Sequence, residues 1–113
     1  MSFSENTERL VKELIQAEYK NACEKFGETF HSLHEGYAVL LEEVEEVQHY
    51  FENVLIGLNN LWIAVKENKE NNVLGEQDEM FFDTKETIKE LAQVGAVLMK
   101  IKNSLEEKEN EKV

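Results

Sequence analysis

The chain has 113 residues, no proline, a single cysteine and a formal net charge of −12, from 24 acidic and 12 basic side chains. Its length fits one domain over residues 1–113. The negative charge disfavours nucleic acid polymers and anionic membrane surfaces, which are themselves negative, and Cys23 has no second cysteine with which to close an intrachain disulfide.

The lack of proline and the abundance of Glu, Lys, Leu, Ala and Val predict an all-α fold. Residues 2–9 are polar and acidic, unlike a secretory signal. The most apolar stretch, residues 54–65, contains Asn59 and Asn60 and is far shorter than the ~20 residues that a membrane span needs. The expected setting is the reducing cytoplasm, with no membrane.

A first helix is predicted over residues 4–26, where Leu10, Val11, Leu14, Ile15, Ala22 and Phe26 recur at three and four. Ser2 and Glu5 stand at capping-box spacing before it, and Gly27 is a stop signal. A second helix is predicted from Ser32, which forms a Ser-x-x-Glu capping box with Glu35. Its apolar stripe includes Tyr37, Leu40, Val44, Val47, Phe51 and Leu58. Gly57, Asn59 and Asn60 predict a kink or break. Leu61, Trp62 and Val65 then resume the pattern to about residue 69.

Residues 70–82 are polar and contain Asn71, Asn72 and Gly75, so they read as a loop. A last helix is predicted from Asp83, with Asp83 and Glu86 as its capping pair and Ile88, Leu91, Val94, Leu98, Ile101 and Leu105 as its stripe. Residues 106–113 form a charged tail expected to fray. The architecture that follows is an antiparallel bundle of three to four helices. Apolar stripes this long on so short a chain cannot all be covered within it. Oligomerisation to a homodimer or homotetramer is therefore expected to complete the bundle.

The chemistry concentrates in carboxylates. At about 100° per residue, Glu42, Glu43 and Glu46 share roughly a quarter turn of the second helix. Three such groups repel unless solvent screens them or a cation sits among them. Oxygen-only ligand sets suit Mg²⁺, Mn²⁺ or Ca²⁺; the plain alternative is a solvated acidic face. Val39 and Tyr50 fall on the same side, and Glu43 borders the core stripe at Val47 and Val54, so this face is expected to be partly covered. On the last helix, Glu90 projects between Val97 and Ile101 at the edge of the apolar face, with Gln93 one turn on. A carboxylate at such an edge needs a partner, because burying a lone charge is costly.

Other residues carry less. His34-Glu35 begins like a zinc-protease helix, but Ala38 stands where a second histidine would be. Trp62 reads as core. No Gly-rich phosphate loop and no Ser/His/Asp or Cys/His nucleophile set is present.

Residues 34–46 resemble the MazG-like all-α nucleoside triphosphate pyrophosphohydrolases, in particular the small phage and prophage type. The helix of those proteins reads His-Glu-Ala-Tyr-x-x-Ile/Leu-x-Glu-Glu-x-x-Glu. Here His34, Glu35, Tyr37, Leu40, Glu42, Glu43 and Glu46 match, and Gly36 replaces Ala. Glu90-Leu91-Ala92-Gln93 stands where the family has Glu-x-x-Asp, with an amide in place of the last carboxylate. The resemblance implies a Mg²⁺ (or Mn²⁺) site made by Glu42, Glu43, Glu46 and Glu90, with Gln93 in the degenerate position. It also implies a nucleotide substrate, cut to monophosphate and pyrophosphate. The alternative is a non-catalytic helical assembly, or a nucleotide-binding protein that has lost activity.

Overall fold

A computed structural model describes residues 3–111, so Ser2, with its expected capping role, lies outside the described residues. Among them the chain is all-helical and has no strand: α1 is Phe3–Phe26, α2 is Leu33–Lys66 and α3 is Glu70–Glu111. The helices have identifiable stops. Gly27 takes a left-handed φ of 86° and its N–H donates to the Cys23 carbonyl at 2.9 Å, closing α1. Ser32 Oγ accepts the Glu35 N–H at 3.1 Å, so the expected cap opens α2.

Two expectations fail. Gly57, Asn59 and Asn60 do not interrupt α2, and residues 70–82 are the first three turns of α3, not a loop. Asp83 therefore begins nothing and caps nothing: its carbonyl accepts the Thr87 hydroxyl at 2.7 Å, within the helix. Glu86 pairs with Lys89 at 3.3 Å. The real turn lies at residues 67–69. Asn68 is left-handed (φ 55°), its N–H donates to Val65 O, and the Lys69 N–H donates to Ala64 O, both at 3.1 Å. These two bonds make a Schellman motif with asparagine at the position glycine usually fills. At the other end α3 continues to Glu111, and its last turns are exposed.

The described residues form two compact units whose boundaries fall inside α2 and α3. The first contains α1, α2 up to Val44, and α3 from Leu91 onwards. Small residues let its helices approach. Ala92 and Ala96 are buried, and a Cβ on Gly95 would stand 2.9 Å from Ile15 Cγ2. A Cβ on Gly36 would meet Phe30 Cδ2 at 3.1 Å and Ile101 Cγ1 at 3.2 Å, which accounts for glycine at that position. Polar ties join distant parts of the chain. The Phe30 N–H donates to Ser104 Oγ at 2.8 Å, and the Ser104 hydroxyl donates to Lys100 O at 2.9 Å. The Lys100 ammonium lies 4.4 Å from the centre of the Phe30 ring. The Asn103 amide donates to the Tyr19 hydroxyl.

The second unit, Glu45–Glu90, is a helical hairpin. On α2 the residues Val47, Tyr50, Val54, Gly57, Leu61 and Ala64 are at least half-covered and recur at three and four. On α3 the same spacing runs through Val73, Glu76, Met80, Asp83, Thr87 and Glu90. These are two seams of coiled-coil type. The fit is close where the side chains are small: a Cβ on Gly57 would stand 2.5 Å from Met80 Cγ.

Candidate metal centre

Glu43 and Glu90 owe their place to these three-four registers. Glu43 lies four residues before Val47 and continues the α2 register toward the N-terminus, while Glu90 is a covered position of the α3 register. Both are half-buried. Glu46, one turn beyond Glu43 on α2, is exposed. Glu43, Glu46 and Glu90 each offer a carboxylate oxygen, and the three oxygens lie within 4.8 Å of one another. Oxygens on opposite sides of one Mg²⁺ stand about 4.2 Å apart, from metal–oxygen distances of ~2.1 Å. The donors are hard and anionic, without sulfur or imidazole, which is the set that suits Mg²⁺, Mn²⁺ or Ca²⁺.

Of the five residues expected at the site, Glu43, Glu46 and Glu90 converge. Glu42 is exposed and does not belong to the converging set. Gln93 is half-buried one turn beyond Glu90 on α3. Its side chain can present a carbonyl oxygen to a cation or an amide N–H to an anion. Glu43, Glu90 and Gln93 each interact with at least one other group. Glu86, the next carboxylate along α3, is engaged by Lys89.

Lys100, which reads in the sequence as a solvated surface lysine, is instead buried, 7% exposed. Its ring contact with Phe30 holds the segment between α1 and α2 against α3. The usual solvation of lysine hides such a role in a sequence, and only the contact with Phe30 reveals it. The Tyr19 phenol titrates above its ordinary range. Burial pushes it up to about 12, aided by the neighbouring Cys23 thiol and Glu28 carboxylate and opposed by the Asn103 amide.

A scan against family models finds no match for this chain, and comparisons with curated proteins and with solved structures find none.

Proposed function

We propose that this protein is a divalent-cation-dependent nucleotide pyrophosphohydrolase of MazG-like type, working in the cytoplasm as a homodimer or homotetramer. It would convert a nucleoside triphosphate to the monophosphate and pyrophosphate. The observation that carries the reading is the convergence of Glu43, Glu46 and Glu90 from two helices, within 4.8 Å. The His34 to Glu46 resemblance supports it, and so do the many large apolar side chains left exposed on a single chain.

Each residue then has a chemical role. Glu43 and Glu90, half-buried on separate helices, are the rigid members that hold a cation in place. Mg²⁺ or Mn²⁺ bound there would neutralise charge on the phosphate oxygens and acidify a water. Glu46, the exposed member, would be the one open to solvent to orient that water and take its proton. Glu42, one turn earlier, adds negative charge beside the cation. Gln93 supplies a neutral oxygen where the resembling family has a carboxylate.

The direct test is pyrophosphate release from a panel of ribo- and deoxyribonucleoside triphosphates with Mg²⁺ or Mn²⁺. At least one substrate is expected to turn over, Glu43→Gln to abolish turnover while leaving the fold intact, and Gln93→Asp to tighten metal binding. A second reading is favoured specifically by the amide at Gln93: a protein that binds a nucleotide but no longer cleaves it. Binding of one nucleotide without turnover of any would establish that reading instead. Neither binding nor turnover would make the carboxylate cluster structural.

A further inference from the structure

Lys100 is the one buried cation among the described residues. A lysine this deep is ordinarily paired with an acid. In this acidic chain the ion pairs engage Arg9, Lys12, Lys69, Lys89 and Lys102 instead. The Lys100 ammonium meets the face of the Phe30 ring, 4.4 Å from its centre. That ring is fixed in turn, because the Phe30 N–H donates to Ser104 Oγ at 2.8 Å. A ring face covers one side of an ammonium that has three N–H donors. The group is therefore a positioned cation with donors left for an anion.

Its place in the fold says which anion. The Phe30 ring reaches within 3.1 Å of where a Gly36 Cβ would stand, and Ile101 within 3.2 Å of the same point, so Gly36 is level with Ile101. Seven residues on from Gly36 comes Glu43, and seven back from Ile101 comes Val94, so antiparallel helices set those two level. Lys100 stands six residues beyond Val94, about 9 Å along the axis. Helical side chains lean toward the N-terminus of their own helix, so on antiparallel α2 and α3 Glu43 and Lys100 lean toward each other. Gln93, two turns before Lys100, shares its flank of α3 and carries an amide that can also donate.

We infer that Lys100 is a polyphosphate-binding residue: with a divalent cation on Glu43, Glu46 and Glu90, its ammonium holds an oxygen of the same phosphate chain that the cation engages. The inference rests on the function proposed above and adds to it the residue that recognises the anionic end of the ligand. Charge makes such a residue necessary. Three carboxylates outweigh one divalent ion, so the loaded site keeps a negative charge and a polyphosphate needs positive charge from elsewhere. Lys89 is next to Glu90, but it is exposed and engaged by Glu86. Lys100 is held in place, shielded from water by its burial and in contact with no carboxylate partner, so its attraction for a phosphate oxygen is stronger than that of a solvated lysine.

Calorimetry on the full-length protein tests this in two steps: Mn²⁺ alone, then inorganic pyrophosphate added to the Mn²⁺-loaded protein. Lys100→Met is expected to bind Mn²⁺ like the wild type and pyrophosphate about tenfold more weakly, the loss of one charge-assisted contact. Lys100→Arg keeps the charge and should recover most of that loss. A purely structural clasp on Phe30 would lower the melting temperature of Lys100→Met without separating the two ligands. Equal pyrophosphate affinity in wild type and Lys100→Met overturns the inference, and so does an equal loss of Mn²⁺ and pyrophosphate. Should Lys100→Met fail to fold, the wild type still decides the matter. Its Lys100 ammonium resonance, identified by its absence from Lys100→Arg, should shift when pyrophosphate and Mg²⁺ are added, and an unmoved signal overturns the inference. A wild type that binds Mn²⁺ but no pyrophosphate sinks Lys100 as an anchor and leaves the cation site standing. A wild type that binds no Mn²⁺ overturns the proposed function and this inference with it.

Discussion

The two units solve the same packing problem differently. In the first, helices close on alanine and glycine and are then locked by polar ties between distant positions: Phe30 to Ser104, Lys100 over Phe30, and Asn103 to Tyr19. In the second, a tight seam and a Schellman turn hold two antiparallel helices, while an apolar stripe on each remains bare. The buried apolar residues of the whole described chain are Ala64, Ala92 and Ala96. The first unit compensates for that thin core with specific contacts within the chain. The second leaves its bulky side chains, Phe51, Leu55, Leu58 and Trp62 among them, at least half exposed. Close packing of small residues sets helix spacing in both, but it removes little apolar area from water, and that area dominates stability.

Substitutions at glycine break the comparison most sharply. Gly95→Ala should destabilise the first unit by up to about 2 kcal/mol. A Cβ there meets three atoms of the stiff, β-branched Ile15 at 2.9–3.0 Å. The overpacking cost of about 1–3 kcal/mol exceeds the gain of about 1 kcal/mol from better helix propensity. Urea unfolding at fixed protein concentration measures the difference, and an unchanged midpoint would show that the approach of α1 to α3 is looser than described. Gly75→Ala has the opposite sign. Nothing lies within 4 Å of a Cβ at that position, so the α3 segment of the hairpin should gain about 0.5–1 kcal/mol. A loss there would mean that this segment is not helical.

The smallest effect concerns the polar lock of the first unit. The Tyr19 phenol is raised from its ordinary value of 10.0 to about 12 in the folded protein. Folding therefore favours the protonated phenol, and its contribution to stability is fully present below pH 10. That contribution falls as pH rises from 10 and is gone above about 12, because the unfolded chain sheds the proton first. Tyr19→Phe should remove this component from the alkaline limb of a stability–pH curve. It should also remove the step near pH 12 from the phenolate absorbance titration. If both curves match the wild type, the burial of Tyr19 and its bond from Asn103 do not act as described.

Much of the fold was legible in the sequence where local chemistry and apolar period agree. Gly27 and the Ser32–Glu35 pair mark real boundaries because each acts on its own backbone neighbourhood. Residues 70–82 were opaque because their seam is Val73, Glu76 and Met80, with an acid in its middle, so no apolar period announces a helix. Tertiary packing against Gly57, through Met80, overrides the weak propensity of Asn71, Asn72 and Gly75. Gly57 itself reads as a breaker locally and acts as a contact point globally. At the candidate site, projection along single helices places Glu43 and Glu90 at the margins of apolar faces. Projection cannot tell which carboxylates of different helices meet, so it groups Glu42 with Glu43 and Glu46 although Glu42 stays apart from the converging set.

The central claim is that Glu43, Glu46 and Glu90 act together on one divalent cation. Calorimetric titration of Mn²⁺ into wild type and Glu43→Gln, paired with thermal melts of both, tests it most directly. Saturable binding to the wild type is expected, with a melting temperature that rises with cation concentration because only the native state holds the site. Both should vanish in Glu43→Gln while its metal-free melt stays close to that of the wild type. A wild-type melting temperature indifferent to millimolar Mn²⁺ and Mg²⁺, with no saturable heat, would contradict the account and leave the three carboxylates as a structural feature of the helix seam.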